Sequence, residues 1–181
     1  STYAAIYKSD SVIAENITIK NCELYYGYSG IYWNSQSNRK SLNINVDSNY
    51  FYNSWNQSCY FNYVNSSSFS NNTIVVAPDT VTAQRSEFSG FYSYNTQDIN
   101  VVGNHISINN ENMGSGTSVT VYGLRYNNVA RNFVANNEIY INTNAPRTNG
   151  IYINNNPTGT QILHNSVYIT GASTGYSQCI C

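Results

Sequence analysis

The stretch Val134-Ala135-Asn136-Asn137-Glu138-Ile139-Tyr140-Ile141 decides the fold, because its pattern returns along the chain. Apolar residues stand three positions before its central Asn137, and two and four positions after it. The interval between successive centres runs from 23 residues (Asn49 to Asn72) to 33 residues (Asn104 to Asn137). Self-similarity at such an interval is typical of repeat proteins. The other centres, which share most of this register, are Cys22, Asn49, Asn72, Asn104 and Asn165.

A second element lies between successive centres. It consists of a small residue, an apolar residue, a tyrosine, another apolar residue and an asparagine, as in Gly30-Ile31-Tyr32-Trp33-Asn34 and Gly150-Ile151-Tyr152-Ile153-Asn154. Alternation over three to five residues, bounded by Asn, Ser and Gly, predicts short strands with one buried face, and nothing recurs at a helical period. A repeat of this length cannot bury its apolar face alone, so its copies must stack. The sequence therefore predicts a solenoid.

The register resembles that of the right-handed parallel β-helix of the pectate-lyase-like superfamily, whose coils stack asparagine side chains at a turn. The resemblance covers nearly the whole chain and implies an all-β fold of about six coils with no significant helix. An amide has both a donor and an acceptor to pass to its neighbour, which suits such a ladder. Cys22 departs from the pattern. The ladder residues that the resemblance implies are Asn49, Asn72, Asn104, Asn137 and Asn165.

Composition limits the function classes. Only 9% of residues are charged and the net charge is -1, so the chain lacks the basic stripe that tracks a phosphate backbone, and we exclude nucleic acid. No apolar run approaches the length of a membrane span. The scarcity of charge and the richness in Asn, Ser and Tyr favour an extracellular or cell-surface location, in a bacterium. The superfamily contains polysaccharide lyases and hydrolases as well as surface proteins without known catalysis, so the resemblance implies fold more than function.

The cysteines and histidines predict no metal site and no cofactor. Cys59 and Cys179 are expected to take the inward apolar position of the glycine-containing element, and Cys181 the next inward position. Buried free cysteine that packs as a small hydrophobe is the simpler interpretation. The two histidines, His105 and His164, lie far from the cysteines in coil order, whereas metal binding needs convergent ligands.

Both ends of the sequence match the glycine-containing element. Ala4-Ala5-Ile6-Tyr7-Lys8-Ser9 begins in this register, and Gln178-Cys179-Ile180-Cys181 returns to it. Solenoids need capping units that cover core and unpaired strand edges, and no such unit is recognisable here. We therefore expect residues 1–181 to be a single segment of a longer solenoid, or to pair with another molecule at the coil ends.

The outward positions form two predicted columns rich in tyrosine. Tyrosine presents a flat apolar ring with a polar edge, which suits a sugar ring or a protein partner. It also has high β propensity, and aromatic pairs on adjacent strands stabilise a sheet without any ligand, so a purely structural interpretation stays open. The first column, which we predict as the ligand-binding one, is Tyr7, Tyr32, Tyr60, Tyr92, Arg125 and Tyr152; the second is Tyr25, Tyr52, Val75, Ser107, Tyr140 and Tyr168.

Catalytic residues are harder to find. Glycoside hydrolysis needs a pair of carboxylates about 5 to 10 Å apart, whereas the nine acids of this chain are dispersed. The register predicts that His105 and Glu138 are neighbours on adjacent coils, which makes them the best acid/base candidates. A surface ion pair of little energetic consequence is the competing interpretation.

The sequence thus predicts a structural or adhesive β-helix whose tyrosine-rich faces bind polysaccharide or a surface protein, without catalysis in this segment. Two alternatives remain open at this point. The chain could belong to a polysaccharide lyase or glycoside hydrolase whose catalytic coils lie elsewhere or are unrecognised. It could also be a filament subunit that stacks end to end.

Overall fold

The strands of this chain confirm the predicted parallel β-helix. The computed structural model describes residues 3–78, 86–111, 113, 119–155, 157–171 and 175–180. These residues form 19 strands in three parallel sheets, and none of them lies in a helix. Consecutive strands visit the three sheets in turn, so three strands complete one coil. Six such coils precede the last strand, which matches the predicted number.

Sheet I carries seven strands and sheets II and III carry six each. Sheet I consists of β1 (Ala4–Lys8), β4 (Ser29–Asn34), β7 (Gln57–Asn62), β10 (Glu87–Tyr94), β13 (Thr120–Asn127), β16 (Arg147–Asn154) and β19 (Tyr176–Ile180). Sheet II consists of β2 (Glu15–Lys20), β5 (Ser41–Asp47), β8 (Val64–Ser70), β11 (Gln97–Val102), β14 (Phe133–Ala135) and β17 (Gln161–Leu163). Sheet III consists of β3 (Glu23–Tyr25), β6 (Tyr50–Tyr52), β9 (Thr73–Val76), β12 (His105–Asn109), β15 (Glu138–Asn142) and β18 (Ser166–Thr170).

The hydrophobic core runs along the axis of the solenoid. It is filled by the inward-facing side chains, which alternate along each strand with outward-facing ones. In the interior coils these side chains are completely buried, and neighbouring coils place equivalent residues side by side. The rings of Phe69 and Phe91 stack with their centroids 4.6 Å apart. Glycine is required where β13 approaches its neighbours, since a Cβ on Gly123 would lie 2.6 Å from the carbonyl oxygen of Gly150 and 2.6 Å from Ile139. The contacts between buried side chains of neighbouring coils hold the coils together through the hydrophobic effect and close packing.

The corner between sheets II and III begins with one residue in the left-handed conformation. In every coil this residue directly precedes the central position of the repeat, and its φ lies between 53° and 68°. Asparagine and glycine tolerate this conformation better than other residues, which explains the polar character of the position. The corner residues are Asn21, Ser48, Asn71, Gly103, Asn136 and His164.

Next to these corner residues, five asparagine side chains form a stack that we call the asparagine ladder; the first four are buried and Asn165 is partly buried. The Asn104 Oδ1 accepts hydrogen bonds from the backbone N–H and the Nδ2 of Asn72, at 2.9 and 3.1 Å. The Asn104 Nδ2 donates to Asn137 Oδ1 and to the Phe69 carbonyl, both at 2.9 Å. The same arrangement links Asn49 to Asn72 and Asn137 to Asn165.

The first coil joins the asparagine ladder only through its backbone. Cys22 takes the central position there, and its N–H donates to Asn49 Oδ1 at 2.9 Å. Its thiol instead contacts the Lys20 carbonyl at 3.4 Å. A thiol has no strong donor and acceptor pair, so it cannot continue the amide network.

The last strand corrects one sequence-based expectation. Ile180, not Cys179, pairs with the inward Ile151, so Cys179 stands one position out of the predicted register. Cys179 is exposed and Cys22 is partly buried, whereas Cys59 is buried as expected. The prediction failed because the sequence around residue 179 fits two registers, and the strand pairing with β16 selects between them. Cys181 lies outside the described residues.

Candidate functional site

The candidate surface is the outer face of sheet I, where the strand register assembles the first predicted column. Tyr32 pairs with Tyr7 on one side and with Tyr60 on the other. Tyr60 pairs with Tyr92 in the following coil. Arg125 then pairs with Tyr92 and with Tyr152, so the column crosses six strands. Whether these residues bind a ligand stays a prediction.

Neighbouring tyrosine rings of this column are in contact from Tyr7 to Tyr92. The centroids of Tyr7 and Tyr32 are 5.6 Å apart and their planes differ by 5°. The next two distances, Tyr32 to Tyr60 and Tyr60 to Tyr92, are 4.9 and 5.2 Å, with increasing tilt. Ring pairs at these distances stabilise a sheet. Each ring covers part of the next, so the inner rings of the column are only partly exposed.

Arg125 continues the stack although it is not aromatic. Its Cζ lies 4.3 Å from the ring centroid of Tyr92 and 4.6 Å from that of Tyr122. Its Nη1 donates to Glu87 Oε2 at 2.8 Å, and its side chain is 16% exposed. A guanidinium is planar and cationic, so it stacks between rings by a cation–π interaction. The ring of Tyr122, which lies 5.2 Å from that of Tyr152, carries the aromatic surface onward.

The column is electrically neutral along its tyrosines at physiological pH. Burial raises the pKa of Tyr32, with Tyr7 and Tyr28 adding to the effect. Burial likewise raises the pKa of Tyr60 and of Tyr92, against a smaller opposing effect of Arg125. The phenols therefore keep their protons and can donate hydrogen bonds from the polar edge of the strip.

The outer face of sheet III carries the second column, which is aromatic at its two ends. Tyr25 pairs with Tyr52 near the N-terminal end, and Tyr140 pairs with Tyr168 near the other. The Tyr140 and Tyr168 rings stack at 5.7 Å and 11°. Val75 and Ser107 occupy the coils between them.

Sequence reasoning missed two residues beside the N-terminal end of this column. Tyr26 and Tyr50 join Tyr25 and Tyr52 in a cluster of four rings, which we call the aromatic patch. Tyr50 lies two positions before Tyr52 on the same face of β6, and Tyr26 follows β3 at a bend. The signal was present as the Tyr25-Tyr26 doublet and the Tyr50-Phe51-Tyr52 alternation, but only the register brings the two segments together.

His105 and Glu138 are neighbours in the structure. They pair between β12 and β15, with Nδ1 and Oε2 3.1 Å apart. The side chains are 48% and 68% exposed and stand on the open outer face of sheet III. An exposed pair of this kind contributes little to stability. A catalytic role for the pair stays a prediction.

Ionised side chains elsewhere form pairs across adjacent coils. Asp47 binds Lys20 at 2.8 Å, and Asp98 accepts two hydrogen bonds from Arg131 at 2.8 and 2.7 Å. The guanidinium of Arg131 lowers the pKa of Asp98. Within the described residues, no group of three or more His, Cys, Asp and Glu side chains could hold a metal ion.

Comparison with known proteins identifies the fold. No protein-family model matches the chain, and no curated protein sequence matches it. The structure is similar to that of the Streptococcus pneumoniae surface protein and adhesin PfbA, with a TM-score of 0.57 and 16% sequence identity. The similarity covers 96% of this chain and 51% of that one, so our chain spans about half the length of its structural neighbour. At this identity the likeness shows the fold alone. In the described part of the chain, no helix has the length and apolar character needed to cross a membrane.

Proposed function

We propose that this chain is part of an extracellular or cell-surface β-helix that acts as a rigid adhesive spine. It contacts a polysaccharide or a surface protein through its tyrosine-rich faces, and this segment carries no catalysis. The observation that carries the proposal is the sheet I column, in which stacked rings and one guanidinium form a strip across six coils. Flat rings with polar edges suit the face of a sugar or a protein at little cost in side-chain entropy.

Two further observations support this proposal. The structural neighbour is a bacterial surface adhesin. Our chain has few charged residues and is rich in Asn, Ser and Tyr, a composition that also favours a location outside the cell. Three carboxylates, Asp47, Glu87 and Asp98, are bound by basic side chains of neighbouring coils, which is why we assign them no catalytic role. We also assign the chain to the pectate-lyase-like superfamily on its register and its asparagine ladder, and this assignment is part of the proposal.

The test is a binding measurement with the sheet I column removed. Immobilised polysaccharides and surface proteins are probed by biolayer interferometry with the native chain and with the triple variant Tyr32→Ala, Tyr92→Ala and Tyr152→Ala. We expect at least a tenfold loss of retention. The control, Asn100→Ala, removes an exposed side chain from sheet II, outside both tyrosine columns. Unchanged binding by the triple variant, with its fold verified by circular dichroism, would contradict a role for this column.

Enzymatic activity is the first alternative, and its test uses the same material. If the segment belongs to a lyase or hydrolase, incubation with polygalacturonate or neutral glycans releases new ends. The double variant His105→Ala with Glu138→Ala should abolish that release if the exposed pair is responsible. Absence of depolymerisation by the 181-residue chain supports the adhesive proposal for this segment.

Stacking at the coil ends is a second candidate that one observation favours. Ile180 takes the inward register position of the fully buried Ile151, yet its side chain is 55% exposed. A second copy of this chain, stacked on this face, would cover it. If copies stack in this way, negative-stain images show rods that grow in length, and Ile180→Asp stops the growth. Discrete particles of the native chain would contradict the filament.

A further inference from the structure

The aromatic patch at the N-terminal end of sheet III contains two tyrosines that are largely exposed, Tyr25 and Tyr26, beside two that are partly exposed. The centroids of Tyr25 and Tyr52 are 5.8 Å apart, and Tyr50 lies 6.0 Å from Tyr25. Tyr26 meets Tyr52 edge to face at 86°. The Tyr50 and Tyr52 rings stack at 6.3 Å and 16°, whereas the ring of Tyr25 is tilted by 54° against that of Tyr52, so the ring faces of the patch point in several directions. The side chains of Tyr25 and Tyr26 are 50% and 60% exposed, and clustered exposed aromatic surface of this kind marks binding sites.

The backbone conformation at Tyr26 is one that disfavours a bulky side chain. Tyr26 has a φ of 61°, a left-handed conformation that is unfavourable for a bulky side chain. The next coil places Asn53 at the equivalent position, with a φ of 51°. The Asn53 Oδ1 accepts a hydrogen bond from the Ala77 N–H at 2.8 Å, a contact that a tyrosine ring cannot make. Asparagine therefore suits this bend better, and strain retained at a residue is a recognised sign of function.

A shallow polar cleft adjoins the patch along the corner between sheets II and III. Tyr50 of the patch lines this cleft together with Glu23, and the cleft also presents amide and hydroxyl groups. Glu23 Oε2 accepts a hydrogen bond from the Tyr25 hydroxyl at 2.9 Å, and this bond raises the pKa of Tyr25. The nearby Lys20 is held by Asp47 at 2.8 Å. The other cleft residues are Asn21, Cys22, Ser48, Asn49, Asn71 and Thr73.

We propose that the aromatic patch and this cleft together bind a neutral hexose-containing oligosaccharide. Pyranose rings have an apolar C–H face that packs on tyrosine, and their hydroxyl groups find acceptors in a carboxylate and in amide oxygens. The free charge at the site is the Glu23 carboxylate, which repels uronic acids and other anionic sugars. This site differs from the sheet I column, and the inference rests on the proposed adhesive function because it names a glycan class.

The test is isothermal titration calorimetry on the 181-residue chain with defined hexasaccharides of glucose, mannose and galactose, and with hexagalacturonate as the acidic probe. We expect one neutral hexasaccharide to bind and hexagalacturonate to bind at least tenfold more weakly. Tyr26→Asn, which copies the residue of the next coil, should weaken binding at least tenfold with an unchanged or higher Tm. Glu23→Gln should reduce the difference in binding affinity between the neutral and the acidic probes. Asn100→Ala, which changes an exposed side chain on sheet II, is the control and should leave binding unchanged.

Several outcomes would overturn this inference. One is tighter binding of hexagalacturonate than of every neutral probe. Another is neutral binding that Tyr26→Asn and Tyr50→Ala both leave intact, or retention of a protein partner through the patch with no sugar binding. If the sheet I triple variant loses glycan retention while these patch variants keep it, the inference fails and the proposed adhesive function stands. If none of the probes in either experiment is retained by the native chain, both fail.

Discussion

The asparagine ladder and the sheet I column both repeat once per coil, yet they differ in what each residue must do. Asn104 is 1% exposed, and both its amide oxygen and its amide nitrogen are bound on either side. The column residues stand at the surface, and at Arg125 the column accepts a residue of different chemistry. A repeated residue is therefore not by itself a sign of structural necessity. Burial and obligatory hydrogen bonding distinguish the two cases.

The largest effect should come from breaking the ladder in the middle. Asn104→Ala leaves the Asn72 N–H and the Phe69 carbonyl buried without their partner, and each buried unsatisfied group costs about 1–3 kcal/mol. We expect the free energy of unfolding to fall by about 3–5 kcal/mol, measured by urea denaturation. Asn100→Ala, on the exposed face of β11, is the control and should change stability by less than about 0.5 kcal/mol. Equal effects at the two sites would refute the distinction.

A smaller effect should follow from breaking the surface column. Tyr60 lies between the Tyr32 and Tyr92 rings, and Tyr60→Ala removes two ring contacts and part of the covered surface. We expect a loss of about 1–2 kcal/mol in the same denaturation experiment. Tyr60→Phe keeps both stacking contacts and should recover most of that loss. A cost as large as that of Asn104→Ala would mean that the column is structural in the same sense as the ladder.

The point where Arg125 replaces tyrosine sharpens the comparison. A double-mutant cycle with Arg125→Met and Glu87→Gln isolates the ion pair, whose atoms lie 2.8 Å apart. Because Arg125 is partly buried and Glu87 more exposed, we expect a coupling energy of about 0.5–1.5 kcal/mol. Coupling near zero would mean that the Tyr92 and Tyr122 rings, and not Glu87, hold the guanidinium in place.

The smallest effect concerns the exposed polar network beside the ladder. Hydrogen bonds from Lys20 and Asn71 hold the pKa of Asp47 at about 2, below its ordinary value of 3.8. A lowered pKa means that the carboxylate stabilises the fold above about pH 4, and that this contribution is lost as the pH falls towards 2. Solvent screening limits the loss to less than about 1 kcal/mol. Denaturation curves between pH 5 and 2 should show this loss for the native chain, and Asp47→Asn should remove it.

Much of the surface geometry could be read from the sequence once the register was known. The spacing of the central asparagines predicts which residues meet on adjacent coils, and Tyr32, Tyr60 and Tyr92 accordingly pair in the structure. The aromatic patch could not be read in this way. Tyr26 lies at a bend after β3, and the direction of its ring depends on a left-handed backbone conformation that no strand periodicity encodes. The wrong prediction for the last strand has a similar cause. The sequence allowed either Cys179 or Ile180 at the inward position, and pairing with β16 selected Ile180.

The sequence by itself determined the period, the inward and outward alternation and hence the parallel solenoid, because stacked coils impose the same environment at every equivalent position. It also determined that the ladder position carries amides, since an asparagine can both accept and donate between neighbours. Only the tertiary structure decided which tyrosines cover one another and which remain exposed, because ring tilt depends on packing between coils. It likewise decided that Arg125 lies between two rings and is bound by Glu87, a residue 38 positions away in the chain.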